Sequence, residues 1–313
     1  MMRSSAVGTA AAILSVVPAG LAAQTPAEKA AIRPIAVEHT MRRIVHLDAP
    51  IDNLVAAAPS GHIYLALQTR PDPLIWVLPV RGEPFTFRKN WAAYRPRWAG
   101  SGNRIGFISA IGPPRVWTVE VDSASGRALD PPRMLIRTSA NAFAFSPDGA
   151  RIALVASRST AAGASEIHII EWSSRRSRRL LREDGLVYWL DWSPDGAFIY
   201  YGLAPNSSAQ DPHAVKRVTV RGGRGDSARA LFEVREYLGL APDGARILYR
   251  PLDPGSAEEN VFQVSGIEGD DTPLRFTLPP GPVPRWGASS TTLVRVRQDE
   301  TGADIVEISL TPR

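Results

Sequence analysis

The chain has no cysteine, so disulfides, cysteine-ligated zinc, iron–sulfur clusters and thiol catalysis are excluded. Lysine is nearly absent: Lys29, Lys89 and Lys216 stand alone among 36 basic residues, and arginine supplies the rest. Beyond the N-terminus no apolar run approaches the roughly 20 residues that a bilayer crossing needs. Short catalytic motifs are missing too. There is no G-x-S-x-G elbow, no H-E-x-x-H, no phosphate-binding G-x-x-x-x-G-K-[ST] and no EF-hand loop. The five histidines, His39, His46, His62, His168 and His213, never fall at metal-ligand spacing on one element. His46 and His168 sit in predicted strands and read as packed or locally hydrogen-bonded side chains.

What is present is turn-rich. The 313 residues include 25 glycines and 27 prolines among many short apolar runs, the composition of an all-β chain. The net charge of +5 and pI of 9.8 fit a soluble protein, and no basic strip interleaved with aromatics argues for nucleic acid. Residues 1–23 read as a secretory signal, with Arg3 at its start, the apolar stretch AVGTAAAILSVV at 6–17, breakers at Pro18 and Gly20, and small residues at Ala22 and Ala23. The alternative, an uncleaved anchor, is disfavoured by the shortness of that stretch. Residues 24–40 are expected to be a linker and 41–313 a single domain, exported to the periplasm or secreted and monomeric, with no membrane span after signal removal.

Self-similarity organises that domain. Pro-Asp-Gly recurs between apolar runs in FSPDGARIAL, WSPDGAFIYY and LAPDGARILY, and their glycines, Gly149, Gly196 and Gly244, lie 47 and 48 residues apart. WAGSGNRIGF puts Gly102 in register 47 residues earlier, AAPSGHIYLAL puts Gly61 another 41 earlier, and WGASSTTLVRV puts Ser290 46 residues after Gly244. Four strands of about five residues with their turns fill such a period, which is one propeller blade. In Ser-Pro-Asp-Gly, proline fixes φ, aspartate bonds nearby amides and glycine accepts positive φ, so Asp148, Asp195 and Asp243 are turn residues rather than catalysts. A third strand follows in every unit, from LIWVLPV at 74–80 to DIVEISL at 304–310. A fourth appears in the first five units. The sixth lacks one, and RRIVHL at 42–47 is available to supply it. The prediction is a six-bladed β-propeller closed by an N-terminal strand that completes the last blade.

FSPDGARIAL and WSPDGAFIYY, each followed by a strand such as EIHIIEW, resemble the TolB-like propeller repeat, which is related in style to WD-type propellers. The resemblance covers about residues 40–313. It implies an exported propeller of the kind that engages other proteins or is attached to serine peptidases. Residues 24–40 are too few for the α/β domain that precedes the propeller in TolB, and no residues follow the sixth unit to form a peptidase.

The segments entering the innermost strands border the axis of such a ring. They carry Asn53, Tyr94, Trp189 and the candidate ligand- or partner-binding residues Arg95, Arg97, Asn141, Tyr188, Asp191, Glu236, Tyr237 and Arg285. Aromatic and charged groups at one mouth suit a peptide or small ligand, although Trp189 and Tyr237 also read as inter-blade core. No catalytic residue, metal ligand or cofactor is assigned. The acidic EGDD at 268–271 and the basic RRSRR at 175–179 read as solvated outer hairpins. The function that follows is a non-catalytic propeller binding a protein or peptide partner in the cell envelope. The alternative is a metal-dependent propeller enzyme, a lactonase or a lyase or hydrolase acting on sugars, with its site in the central channel. A sensor or scaffold attached through an outer face is a third reading.

Overall fold

A computed structural model describes residues 35–69, 73–87, 93–109, 112–156, 163–205, 212–221, 228–252, 260–269, 271–298 and 302–312. The expected signal at 1–23 and most of the linker lie outside them. Six blades of four antiparallel strands are arranged in chain order. The innermost strands are Asn53–Ala57, Ala93–Trp98, Ala140–Phe145, Leu186–Trp192, Glu236–Leu240 and Arg285–Trp286, in blades 1 to 6.

Second strands such as Arg151–Ala156 and Phe198–Ala204 are buried along nearly their whole length, because both faces of a blade are covered by its neighbours. The apolar core accordingly divides into six clusters, one at each blade junction. Val45, Leu47 and Ile305 of blade 6 pack with Ile51, Tyr64 and Leu78 of blade 1, so the junction that closes the ring is as apolar as the rest.

The Ser-Pro-Asp-Gly turns use every group in the motif. The Asp148 carboxylate accepts from the Ala150 N–H at 3.0 Å and from the Ser146 hydroxyl, whose oxygen accepts the Arg151 N–H at 2.9 Å. Ser193, Asp195, Ala197 and Phe198 repeat the pattern. Gly149, Gly196 and Gly244 have φ of 67°, 67° and 73°, and Gly61 and Gly102, without the Pro-Asp, both have 71°. The turn conformation is therefore kept where the motif has faded.

The strand Ile35–Leu47 is the outermost strand of blade 6. It pairs antiparallel with Ala303–Pro312, from Val37 opposite Pro312 to Leu47 opposite Ala303. It starts six residues before the expected domain boundary, and its first two residues pair in parallel with Leu274 and Arg275 of blade 5, so one strand is shared by two blades. His46 holds the seam. Its Nδ1 lies 2.8 Å from the buried Asp304 carboxylate, which also accepts from Arg297 at 2.6 Å.

The outer hairpins carry paired charge. Glu268 accepts from Arg217 and Arg229 at 3.1 and 2.8 Å, and Glu166 lies 3.1 Å from both Arg179 and His168. Among the described residues no helix is long and apolar enough to cross a membrane.

Candidate functional site: the central channel

A β-bulge interrupts the innermost strand of each of blades 1 to 5, where the register shifts around residues 55, 95–96, 141, 188 and 238. An unpaired extra residue bends its strand and re-aims its side chain. In blade 2 it leaves Arg95 with φ of 51°, a left-handed conformation that a non-glycine residue adopts at a cost. The Arg95 guanidinium spans to blade 4 and donates to the Tyr188 carbonyl at 2.5 Å.

Large side chains from alternate blades meet at the axis. The guanidinium of Arg97, in blade 2, lies 3.6 Å from the Trp189 ring centroid, and that of Arg285, in blade 6, lies 4.1 Å from it. The indole of blade 4 is thus sandwiched between two cations. Small residues on other blades, Ala56, Ala57 and Gly239, line the cavity beside the stack. The Gly239 φ of 150° favours glycine at that position.

Asp191 fixes the stack. Its Oδ2 accepts from Trp189 Nε1 at 3.0 Å, from the Tyr237 hydroxyl at 2.8 Å and from the Leu240 N–H at 3.2 Å, while Oδ1 faces Arg97 at 3.4 Å. Arg285 donates to the Leu238 carbonyl at 2.6 Å. Tyr188 Oη accepts the Tyr237 N–H at 2.7 Å and lies 3.2 Å from His213 Nδ1. The Tyr188 ring fits only because residue 202 opposite is glycine: a Cβ there would lie 2.5 Å from the phenol oxygen.

The stack partitions the channel into two cavities, because Trp189 and Arg285 line both. The turn-side cavity, of about 370 Å³, has small residues and prolines on its walls and Arg97, Trp189 and Asp191 at its base. The upstream cavity, of about 300 Å³, opens where the innermost strands begin. Tyr94, Arg95, Tyr188, Glu236 and Tyr237 line it beside Arg285, Asn53 and Leu67.

Positive charge is concentrated at the partition. Burial pushes Arg285 down to about 10; repulsion from Arg97 and Arg95 adds to this, and Glu236 and Asp191 oppose it. Burial likewise lowers Arg97 and Arg95. Burial raises the phenols of Tyr188 and Tyr237, which therefore stay protonated.

The sequence candidates distribute unevenly over this geometry. Arg95, Tyr188, Glu236, Tyr237 and Arg285 line the upstream cavity, Arg97 and Asp191 line the turn-side one, and Asn141 lines neither. No residue of the blade 3 innermost strand lines either cavity, and its alanines Ala140, Ala142 and Ala144 pack in the inter-blade core. Tyr237 is only 1% exposed and serves chiefly to hold Asp191. Asn53 and Tyr94 join the upstream lining, and Trp189 is both core and partition. Among the described residues no group of three His, Asp or Glu side chains is placed to hold a metal ion.

No known protein family and no curated protein matches the sequence. Solved structures do. A TolB-type protein from Agrobacterium tumefaciens is 15% identical with a TM-score of 0.59, over 88% of this chain and 99% of that one. TolB from Acinetobacter baumannii is 15% identical with a TM-score of 0.58, over 82% of this chain and 62% of that one. An oligogalacturonate lyase from Vibrio parahaemolyticus is 6% identical with a TM-score of 0.53, over 88% and 97%. At these identities the likeness is one of fold: the chain is a six-bladed β-propeller whose fold is similar to that of the TolB structures.

Proposed function

We propose that this protein is an exported, non-catalytic propeller that binds a protein or peptide partner in the cell envelope, with the upstream cavity as its contact site. The observation that carries the reading is the cavity itself: a hollow lined by four aromatic side chains, Tyr94, Tyr188, Trp189 and Tyr237, and by charged groups, with Tyr237 and Trp189 tied to the Asp191 carboxylate. Recognition sites pair such apolar walls with a few fixed polar groups. The TolB-like scaffold and the signal-like N-terminus support the envelope setting. A photoreactive residue at position 94, beside the cavity, should cross-link a partner in envelope extract, while one at position 176 on the exposed outer hairpin of blade 3 should not. A partner captured only from position 176, or turnover of a small substrate with no partner at position 94, would overturn the reading.

The likeness to the lyase favours one alternative, a metal-dependent enzyme acting on sugars. In this chain the carboxylates that line the channel cavities, Asp191 and Glu236, are each engaged by an arginine, Arg97 at 3.4 Å and Arg250 at 3.6 Å. Metal content of the purified protein, measured with an assay on oligogalacturonate, separates the two.

A further inference from the structure

Two residues that line the upstream cavity each hold a buried polar atom without a hydrogen-bond partner, and the two atoms are of opposite kind. Arg285 Nε carries an N–H without an acceptor, and Asn53 Oδ1 is an acceptor without a donor. A buried polar atom left unpaired carries a desolvation penalty that no contact repays. A ligand that supplies both complements, met by a small turn of each side chain into the cavity, removes both penalties at once. A carboxylate answers Arg285, and a neighbouring N–H answers Asn53.

Charge points the same way. Arg95 and Arg285 line this cavity, and the one carboxylate beside them, Glu236, already faces Arg250 Nε at 3.6 Å. Among the described residues, the other charged groups at the partition are Arg97 and its partner Asp191, so guanidinium groups stay in excess. Arginine is the side chain best shaped to take a planar carboxylate. Topology narrows the choice further. The Arg97–Trp189–Arg285 stack lies between this cavity and the turn-side one, whose linings share only Trp189 and Arg285, so a polypeptide end fills the upstream cavity without having to pass the stack. The cavity therefore suits a chain end.

We propose, on the basis of the peptide-binding reading above, that the upstream cavity captures the C-terminal carboxylate of its partner. The carboxylate sits on Arg285 and Arg95, a backbone N–H close to it donates to Asn53 Oδ1, and the last side chain lies among Tyr94, Tyr188 and Trp189. An acidic side chain is the other source of the same chemistry, and the test separates the two.

Arrayed random tetrapeptides are offered to the full chain as free acids and as C-terminal amides, with some amides carrying Asp or Glu. Free acids should bind at least about tenfold more tightly than the matching amides, a difference of about 1.4 kcal/mol. Asn53→Ala and Arg285→Lys should each weaken free-acid binding several-fold, and added salt should weaken it further. Arg285 also props the Leu238 carbonyl, so Asn53→Ala, which breaks no observed hydrogen bond of Oδ1, is the variant that must stay folded; its melting curve checks that. Equal binding of acids and amides would overturn the inference and leave peptide recognition standing. Tight binding of acidic amides would overturn it in favour of a side-chain carboxylate. If no peptide form binds and position 94 captures no partner, both the inference and the reading beneath it fall. If no peptide form binds but position 94 still captures a folded partner, the inference alone falls.

Discussion

Asp191 and Tyr237, on neighbouring innermost strands, share a hydrogen bond of 2.8 Å, and through it the phenol of blade 5 fixes the carboxylate that steadies the Trp189 stack. Asp191 also faces Arg97 and accepts two further N–H groups, so its loss strands several partners at once. Asp191→Ala should destabilise the protein by about 3 kcal/mol, the cost of leaving a largely buried cation unpaired. Tyr237→Phe removes one donor of several and should cost about 1 kcal/mol. Denaturant titrations check the order; equal losses would show that Asp191 is not the hub.

Arg95 makes a second test, because its backbone conformation and its side chain can be separated. Both Arg95→Ala and Arg95→Gly lose the hydrogen bond to the Tyr188 carbonyl. Only glycine also relieves the positive φ, a conformation that costs other residues about 1–2 kcal/mol. Arg95→Gly should therefore be more stable than Arg95→Ala by about 1 kcal/mol. Equal unfolding midpoints would mean that the left-handed conformation carries no cost here.

Gly202 is predicted to act entirely through Tyr188. An added methyl at 202 meets the Tyr188 ring at 2.5–3.0 Å, and the ring cannot retreat without breaking its bonds to the Tyr237 N–H and His213. Gly202→Ala should cost about 2 kcal/mol, as overpacking does. In a Tyr188→Ala background the same change should cost far less, and a double-mutant cycle reads the difference.

The seam should respond to pH. Hydrogen bonding to Asp304 raises the His46 pKa; burial works against this, and Asp48 at 3.0 Å adds to it. Burial would raise Asp304, but its bonds to His46 and Arg297, with Arg43 nearby, pull it down instead. A histidine with a raised folded pKa stabilises fully below its unfolded value of about 6.5, and loses that contribution as pH rises through the folded pKa. Wild-type protein should melt above His46→Gln at about pH 5, and the gap should close towards about pH 8. A gap that is constant across this range would sink the idea.

The ring was legible in the sequence because its turns are local. Ser146, Pro147, Asp148 and Gly149 satisfy one another within a few residues, so the motif survives as a string, and its period counts the blades. The bulges were not legible. Whether residue 141, 188 or 238 is the unpaired one depends on cross-strand register, and the apolar alternation of a fully covered strand does not record it. The Trp189 stack was hidden for a different reason. Arg97, Trp189 and Arg285 come from alternate blades and meet only across the axis, so no spacing in the chain joins them. Trp189 could be read as core from its position, and it is core, but its role as a partition needs the two guanidiniums. Asn141 shows the converse: its place in the repeat matches Tyr188, yet it lines neither cavity.

The shared strand has a mechanical meaning. Val37 lies opposite Pro312, so the two ends of the described chain leave the rim side by side. Tension drawn between them would peel Ile35–Leu47 away one residue pair at a time, as a zipper opens, instead of loading the whole ladder together. Anything tethered at one end and pulling on the other would release the ring at modest force, and the His46–Asp304 contact would be among the last to let go.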